Sequence, residues 1–225
     1  MWYYEIVKLL SVLLSAWLFA LASSGAANLE AYAENIASLI DPAKLATLGE
    51  RQANPRVQKY VAQLAEAKSA GLSPRRVARR AISLVAMKPE ADKLTAAAMV
   101  RNLVIAERLG CLDTEGVAAM RKGLAATVRK GPYSRDPLSV DHIIPLSVAP
   151  ELDRVIANLE LLPLRLNEKK RAKIGQRQRS LAEKLHKAGL LSDLGYNAVL
   201  ETPTTEPRRR GKSAAPHSQR PDLRP

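Results

Sequence analysis

The chain has 225 residues, with 35 Lys and Arg against 22 Asp and Glu, a net charge of +13 and one cysteine. That length suits one domain with appendages. The lone Cys111 excludes an internal disulfide framework and a cysteine-only zinc site, and it implies no disulfide-linked partner. A sequence pI near 10.1 points to a polyanionic partner, either nucleic acid or an acidic membrane surface.

The leader comes first in chain order. Trp2, Trp17 and Phe19 all lie within the first 20 residues, and beyond residue 22 the only aromatics are Tyr32, Tyr60, Tyr133 and Tyr196. The body therefore packs its core from Leu, Ile, Val and Ala. It also lacks the stacking platforms that grip single-stranded bases, which favours contact with the phosphate backbone. Lys8 precedes an apolar run of 14 residues, LLSVLLSAWLFALA, and small residues follow through Ala27. A bilayer span needs roughly 20 residues, so residues 1–27 read as a signal peptide, with a retained N-terminal membrane anchor as the alternative. Residues 23–50 carry Glu30, Glu34, Asp41 and Glu50 against only Lys44, which favours export of the body of the chain. The expected location is periplasmic or secreted, or membrane-anchored with the body outside the cytoplasm.

Residues 28–125 read as a helical domain. Periodicity predicts helices over 28–40 and 55–70, the second with Val57, Tyr60, Val61 and Leu64 on one face. Ser73-Pro74 opens a third helix, RRVARRAISLVAM, whose Arg75, Arg76, Arg79 and Arg80 read as a solvated face, with a DNA surface as the alternative. A fourth, over 90–109, has Leu94, Ala97, Ala98, Val104 and Ile105 as its expected apolar stripe and stops at Gly110. Asp113 or Thr114 caps a short fifth helix.

The pattern changes in residues 126–192. Gly131-Pro132 and Asp136-Pro137 are turn dipeptides. LSVDHI (138–143) alternates as a strand does, and LELL (159–162) is a second strand. Basic helices follow over 164–173 and 175–188. Residues 193–225 read as a disordered, basic, proline-rich tail, with Arg208-Arg209-Arg210 and Lys212 in it. The fold class expected is α+β.

The chemistry-bearing residues fall in the stretch VDHIIPLSVAPELDRVIANLELLPLRLNEKKRAK, which places Asp141, His142, Asn158 and Asn167 within 27 residues. A hard divalent cation prefers oxygen ligands and keeps several waters. Asp141 and the amide carbonyl of Asn167 offer two such oxygens. A neutral imidazole takes a proton from water near physiological pH. Adjacent strand residues point to opposite faces, so Asp141 and His142 converge only if the strand ends or bulges there, and Pro145 supplies a stop.

This segment resembles an HNH endonuclease of the ββα-metal superfamily. The resemblance rests on Asp141-His142, Asn158-Leu159 on the second strand and Asn167-x-x-Lys170 on the helix, and it spans residues 138–173. It implies that Asp141 and Asn167 are metal ligands, that His142 is the general base and that Asn158 orients His142 and its loop. The third motif position, often histidine in the family, is Asn167 here, which favours Mg²⁺ over softer ions, with Mn²⁺ possible. Lys170 matches the family's helix lysine, which implies a phosphate contact. The paired-cysteine knuckle of some members is absent.

Between Arg165 and Lys187 stand nine Lys and Arg against two acids, Glu168 and Glu183, an electrostatic footprint for phosphates. Arg165, Lys169, Lys170, Lys173 and Arg177 are the expected nucleic-acid contacts. The resulting expectation is an exported, metal-dependent endonuclease acting on DNA with low sequence specificity. The rivals are a non-catalytic DNA-binding protein on the same scaffold and a basic membrane-surface protein.

Overall fold

The computed structural model describes residues 26, 28–40, 54–85, 87–170 and 172–204. The expected leader lies outside these apart from residue 26, and so does the end of the expected tail from residue 205. Among the described residues no helix is long and apolar enough to cross a membrane. The fold is α+β: helices surround one two-stranded antiparallel sheet.

Helix α1 covers residues 28–37. Helix α2 (Pro55–Ser69) starts where the Asn54 side chain accepts the Arg56 N–H at 3.2 Å, with proline in the first turn. Its Val57, Tyr60, Val61 and Leu64 are fully buried, as their spacing predicts. Gly71, at φ +81°, closes the helix, and the next N–H, of Leu72, reaches back to Ala67 O at 2.9 Å. In α3 (Pro74–Ser83), Val77, Ala78, Ala81 and Ile82 are buried while Arg75, Arg76, Arg79 and Arg80 are exposed.

Helix α4 (Pro89–Arg108) is 20 residues long, about 30 Å. It buries Ala91, Thr95, Ala96, Ala98, Met99, Asn102, Leu103 and Ala106, leaving Ala97 exposed and Leu94, Val104 and Ile105 only partly covered. The expected stripe is misphased because Thr95 and Asn102 count as polar in any hydropathy pattern, yet both face inward. Helix α5 (Thr114–Arg121) is capped by Asp113, whose Oδ1 accepts the Gly116 N–H at 2.7 Å.

Strand β1 (Leu138–His142) pairs with β2 (Leu159–Pro163) in the register Leu138↔Pro163, Val140↔Leu161, Asp141↔Glu160 and His142↔Leu159. The connection carries two 3₁₀ turns, Pro150–Leu152 and Ile156–Asn158. Helix α6 (Leu164–Lys170) begins directly after β2 and stops short of Lys173. Helix α7 (Gln176–Lys187) comes next.

Two expectations about organisation are corrected. The first is the tail: residues 193–201 are not disordered but form α8 (Asp193–Glu201), capped by Ser192 Oγ, which accepts the Gly195 N–H at 3.1 Å. Val199 is fully buried, and Arg179 of α7 donates to Leu200 O at 2.7 Å and Thr202 O at 2.9 Å. His186 likewise ties the two helices: it stacks on Tyr196 at 4.6 Å and meets Asp193 Oδ1 at 2.6 Å. The proline-rich average of the last 33 residues hides this short capped segment.

The second correction is the boundary at residue 125. Tyr60, Leu64, Met99 and Leu103 from the helices and Leu138, Val140, Leu159 and Leu161 from the strands share one hydrophobic core. Asn102 donates through Nδ2 to Leu159 O at 3.1 Å, and its Oδ1 accepts the Leu161 N–H at 3.0 Å. One side chain thus satisfies backbone groups on the edge of β2 that β1 leaves open. Gln58 Nε2 donates to Leu138 O at 2.8 Å.

Candidate functional site

His142 is the last residue of β1, and the chain turns away immediately after it. Asn158 makes that turn: its Oδ1 accepts the Ile144 N–H at 2.8 Å, its Nδ2 donates to Ile144 O at 3.0 Å, and its carbonyl accepts the Ile143 N–H at 2.8 Å. Fully buried, Asn158 pins both backbone groups of the loop against the start of β2. Asn158 thus ties the loop rather than His142, whose side-chain partner among the described residues is Asp153. His142 Nε2 lies 3.2 Å from the Asp153 carbonyl and 3.3 Å from its carboxylate. Two acceptors at Nε2 assign the ring proton to that nitrogen, which leaves Nδ1 as the proton-accepting lone pair. Nothing in the spacing of Asp153 sets it apart from other loop acids.

Asp141 and His142 line one open cleft of about 290 Å³ together with Asn167 and Lys170. The strand ending reconciles the two adjacent side chains with a common cleft. Asn167 Nδ2 donates to Ser139 Oγ at 3.1 Å and to Val140 O at 3.4 Å, fastening α6 across β1. Lys170 stands one turn later on the same face. It donates to the Asp141 carboxylate and, at 3.1 Å, to His142 O, with Glu160 Oε1 at 3.6 Å.

Glu160 is the further residue that sequence reasoning missed. It faces Asp141 directly across the ladder, so two carboxylates lie side by side, which costs stability unless cations bridge them. Lys170 stands between them, and Arg177 holds the nearly buried Glu160 with contacts of 3.0 and 2.5 Å. These bonds to Glu160 hold the Arg177 guanidinium above its ordinary pKa.

The five expected phosphate contacts divide accordingly. Arg165 is a clamp: its Nε donates to Asp136 Oδ1 at 2.6 Å, its backbone N–H donates to Oδ2 at 3.1 Å, and its guanidinium lies 5.8 Å from the Tyr133 ring centre. Lys170 and Arg177 are tied to acids, while Lys169 and Lys173 are exposed with no ion pair among the described residues.

The donor set suits a hard cation: a carboxylate and an amide line the same cleft, with an imidazole beside them. Among the described residues no three of His, Cys, Asp and Glu gather into a metal cage. A cation that retains most of its waters, as Mg²⁺ does, requires only one or two carboxylates. Compared with known protein families, with curated proteins and with solved structures, the chain matches none.

Proposed function

We propose that this protein is a metal-dependent endonuclease of the HNH type, hydrolysing phosphodiester bonds of DNA with low sequence specificity outside the cytoplasm. The observation that carries the reading is the meeting of Asp141, His142 and Asn167 on one cleft where β1 ends against α6. His142 accepts a proton from the attacking water at Nδ1, and Asp153 steadies the resulting imidazolium at Nε2. Asp141 and Asn167 hold the divalent cation, Mg²⁺ or Mn²⁺, which when bound offsets charge on the phosphate and the leaving oxygen. Lys170, paired with Asp141 in this structure, is the cleft cation that would contact the substrate phosphate. Open lysines at 169 and 173 and the lack of stacking aromatics favour backbone contact, hence little base discrimination. Export through residues 1–27 keeps such an enzyme from the genome.

The test is plasmid nicking by the purified protein. Cleavage is expected with Mg²⁺ or Mn²⁺ and not with EDTA; a protein that binds plasmid but never cuts it under any divalent ion overturns the reading. That outcome favours the second reading, a non-catalytic DNA-binding protein, for which the Asp141–Lys170 ion pair speaks. Mass spectrometry of the native protein distinguishes a cleaved leader from a retained anchor, since cleavage removes both tryptophans.

A further inference from the structure

A second cationic surface lies away from the cleft. Arg75 and Arg79 of α3 and Lys93 of α4 line a hollow of about 370 Å³ floored by Ala96, Ala97 and Val100. Small side chains on α4 let the two helices form a groove rather than a ridge. Arg75 and Arg79 have no acidic partner among the described residues, in contrast to Arg80, which grips Glu30 at 2.6 Å. Among the described residues Lys93 pairs only with Glu90, at 2.8 Å in a pair more than three-fifths exposed on each side, too weak to hold it from a phosphate. One acid, Asp92, lies in the adjoining hollow.

The placement of this groove relates it to the cleft. Arg101 stands two turns beyond Lys93 on α4, about 12 Å along the axis. Its Nη2 donates to Leu159 O at 3.0 Å, and Leu159 is the cross-strand partner of His142. The groove therefore lies within one turn of duplex, about 34 Å, from the candidate base.

We propose that the α3–α4 groove is a second phosphate-binding surface, over which double-stranded DNA runs after leaving the cleft. This rests on the nucleic-acid reading of the cleft, and names the part of the molecule that sets how much duplex is held. Two separated cationic surfaces bind a long duplex through both and a short one through either alone. Arginines 75 and 79 suit bidentate phosphate contact.

The experiment uses the full chain carrying His142→Ala, in EDTA, so that binding is read without cleavage. Fluorescence anisotropy follows 10- and 30-base-pair duplexes at several salt concentrations, with and without Arg75→Ala/Arg79→Ala/Lys93→Ala. Loss of three phosphate contacts should weaken the 30-base-pair complex about 10- to 100-fold and reduce the salt slope by about 2.7. The short duplex should change less than about 3-fold. Arg75→Lys/Arg79→Lys, which keeps both charges, should restore most of the salt slope while binding more weakly than the parent, which a folding defect would not allow. Unchanged binding of the long duplex, equal loss on both duplexes, or no duplex binding by the parent overturns the proposal. So does a triple variant that loses binding to phosphatidylserine vesicles but keeps the long duplex. Absence of metal-dependent plasmid cutting by the unmutated chain, with duplex binding intact, refutes the nuclease reading and leaves the groove standing.

Discussion

The strand–strand–helix region around β1, β2 and α6 and the helical region α2–α4 use their polar residues in opposite ways. In the first, Asp141, His142, Asn167 and Lys170 face an open cleft. In the second, Gln58 and Asn102 turn inward and bond the backbone of the strands. An isolated two-stranded hairpin is marginal in water, so the region bearing the chemistry depends on the other for its rigidity. The helices are thus the scaffold that holds the strand ends at fixed positions. Arg101 reinforces this, reaching the carbonyls of Leu159 at 3.0 Å and Ala157 at 3.4 Å from α4.

If the regions divide labour in this way, changes to one should alter rate and changes to the other stability. His142→Ala should lower cleavage by roughly 10²–10⁴-fold, the usual contribution of a positioned general base, with the thermal midpoint and DNA affinity unchanged. Near-wild-type nicking by that variant breaks the division at its chemical end. Asn102→Leu should instead cost about 2–4 kcal/mol in urea unfolding, because it leaves Leu161 N without its acceptor and removes a 2.6 Å donor to the Tyr60 hydroxyl. The unfolding should remain a single transition, since the core is shared. Two separate transitions would mean that the helical region and the strands fold independently.

How far the sequence reveals this division depends on the kind of contact. Local signals are legible: Asn54, Asp113 and the glycines at 71 and 110 end or begin helices by rules that act within a few residues. The meeting of Asp141, His142 and Asn167 is legible too, because a short strand ending and a helix starting right after its partner bring them to one place. The hidden part is the pairing across distance. Asp153 approaches His142 only because the 3₁₀ turns fold the connection back, and Glu160 matters only once register places it opposite Asp141. Asn102 is the sharpest case, since periodicity assigns a polar residue to solvent while tertiary contacts bury it. Charge density misleads in the same way: it counts Arg165 and Arg177 as open although Asp136 and Glu160 hold them.

Alkaline pH probes two buried groups of the helical region, Tyr60 and Cys111. Burial pushes the Tyr60 hydroxyl up to about 12 from 10.0 and the Cys111 thiol up to about 12 from 9.0. Both native pKa values are raised, so the stabilisation is complete below the unfolded values and is lost as pH climbs toward 12. The slope approaches about 1.4 kcal/mol per pH unit for each proton, with Cys111 acting from pH 9 and Tyr60 joining above 10. Urea unfolding of wild type and Cys111→Ala between pH 8 and 10 isolates the first step. The difference between them should shrink by about 1 kcal/mol over the last unit. A constant difference would mean that the thiol titrates normally in the folded chain.

The smallest effect separates open cations from tied ones within the strand–strand–helix region. Lys169→Ala with Lys173→Ala removes two exposed lysines without an ion pair among the described residues, so the slope of log affinity against log salt should fall by about 1.8, at unchanged stability. Arg177→Ala should behave differently. It strips the nearly buried Glu160 of its bidentate partner and leaves Lys170 to serve two carboxylates, Glu160 and Asp141. Its main result should be a lower thermal midpoint, with the salt slope changing by less than one phosphate's share of about 0.9. Measured by anisotropy in EDTA on one duplex, the two variants should thus exchange signatures. If Arg177→Ala flattens the slope as much as the double lysine variant does, the arginine leaves Glu160 for the phosphate when DNA binds, and the line between tied and open cations moves with the substrate.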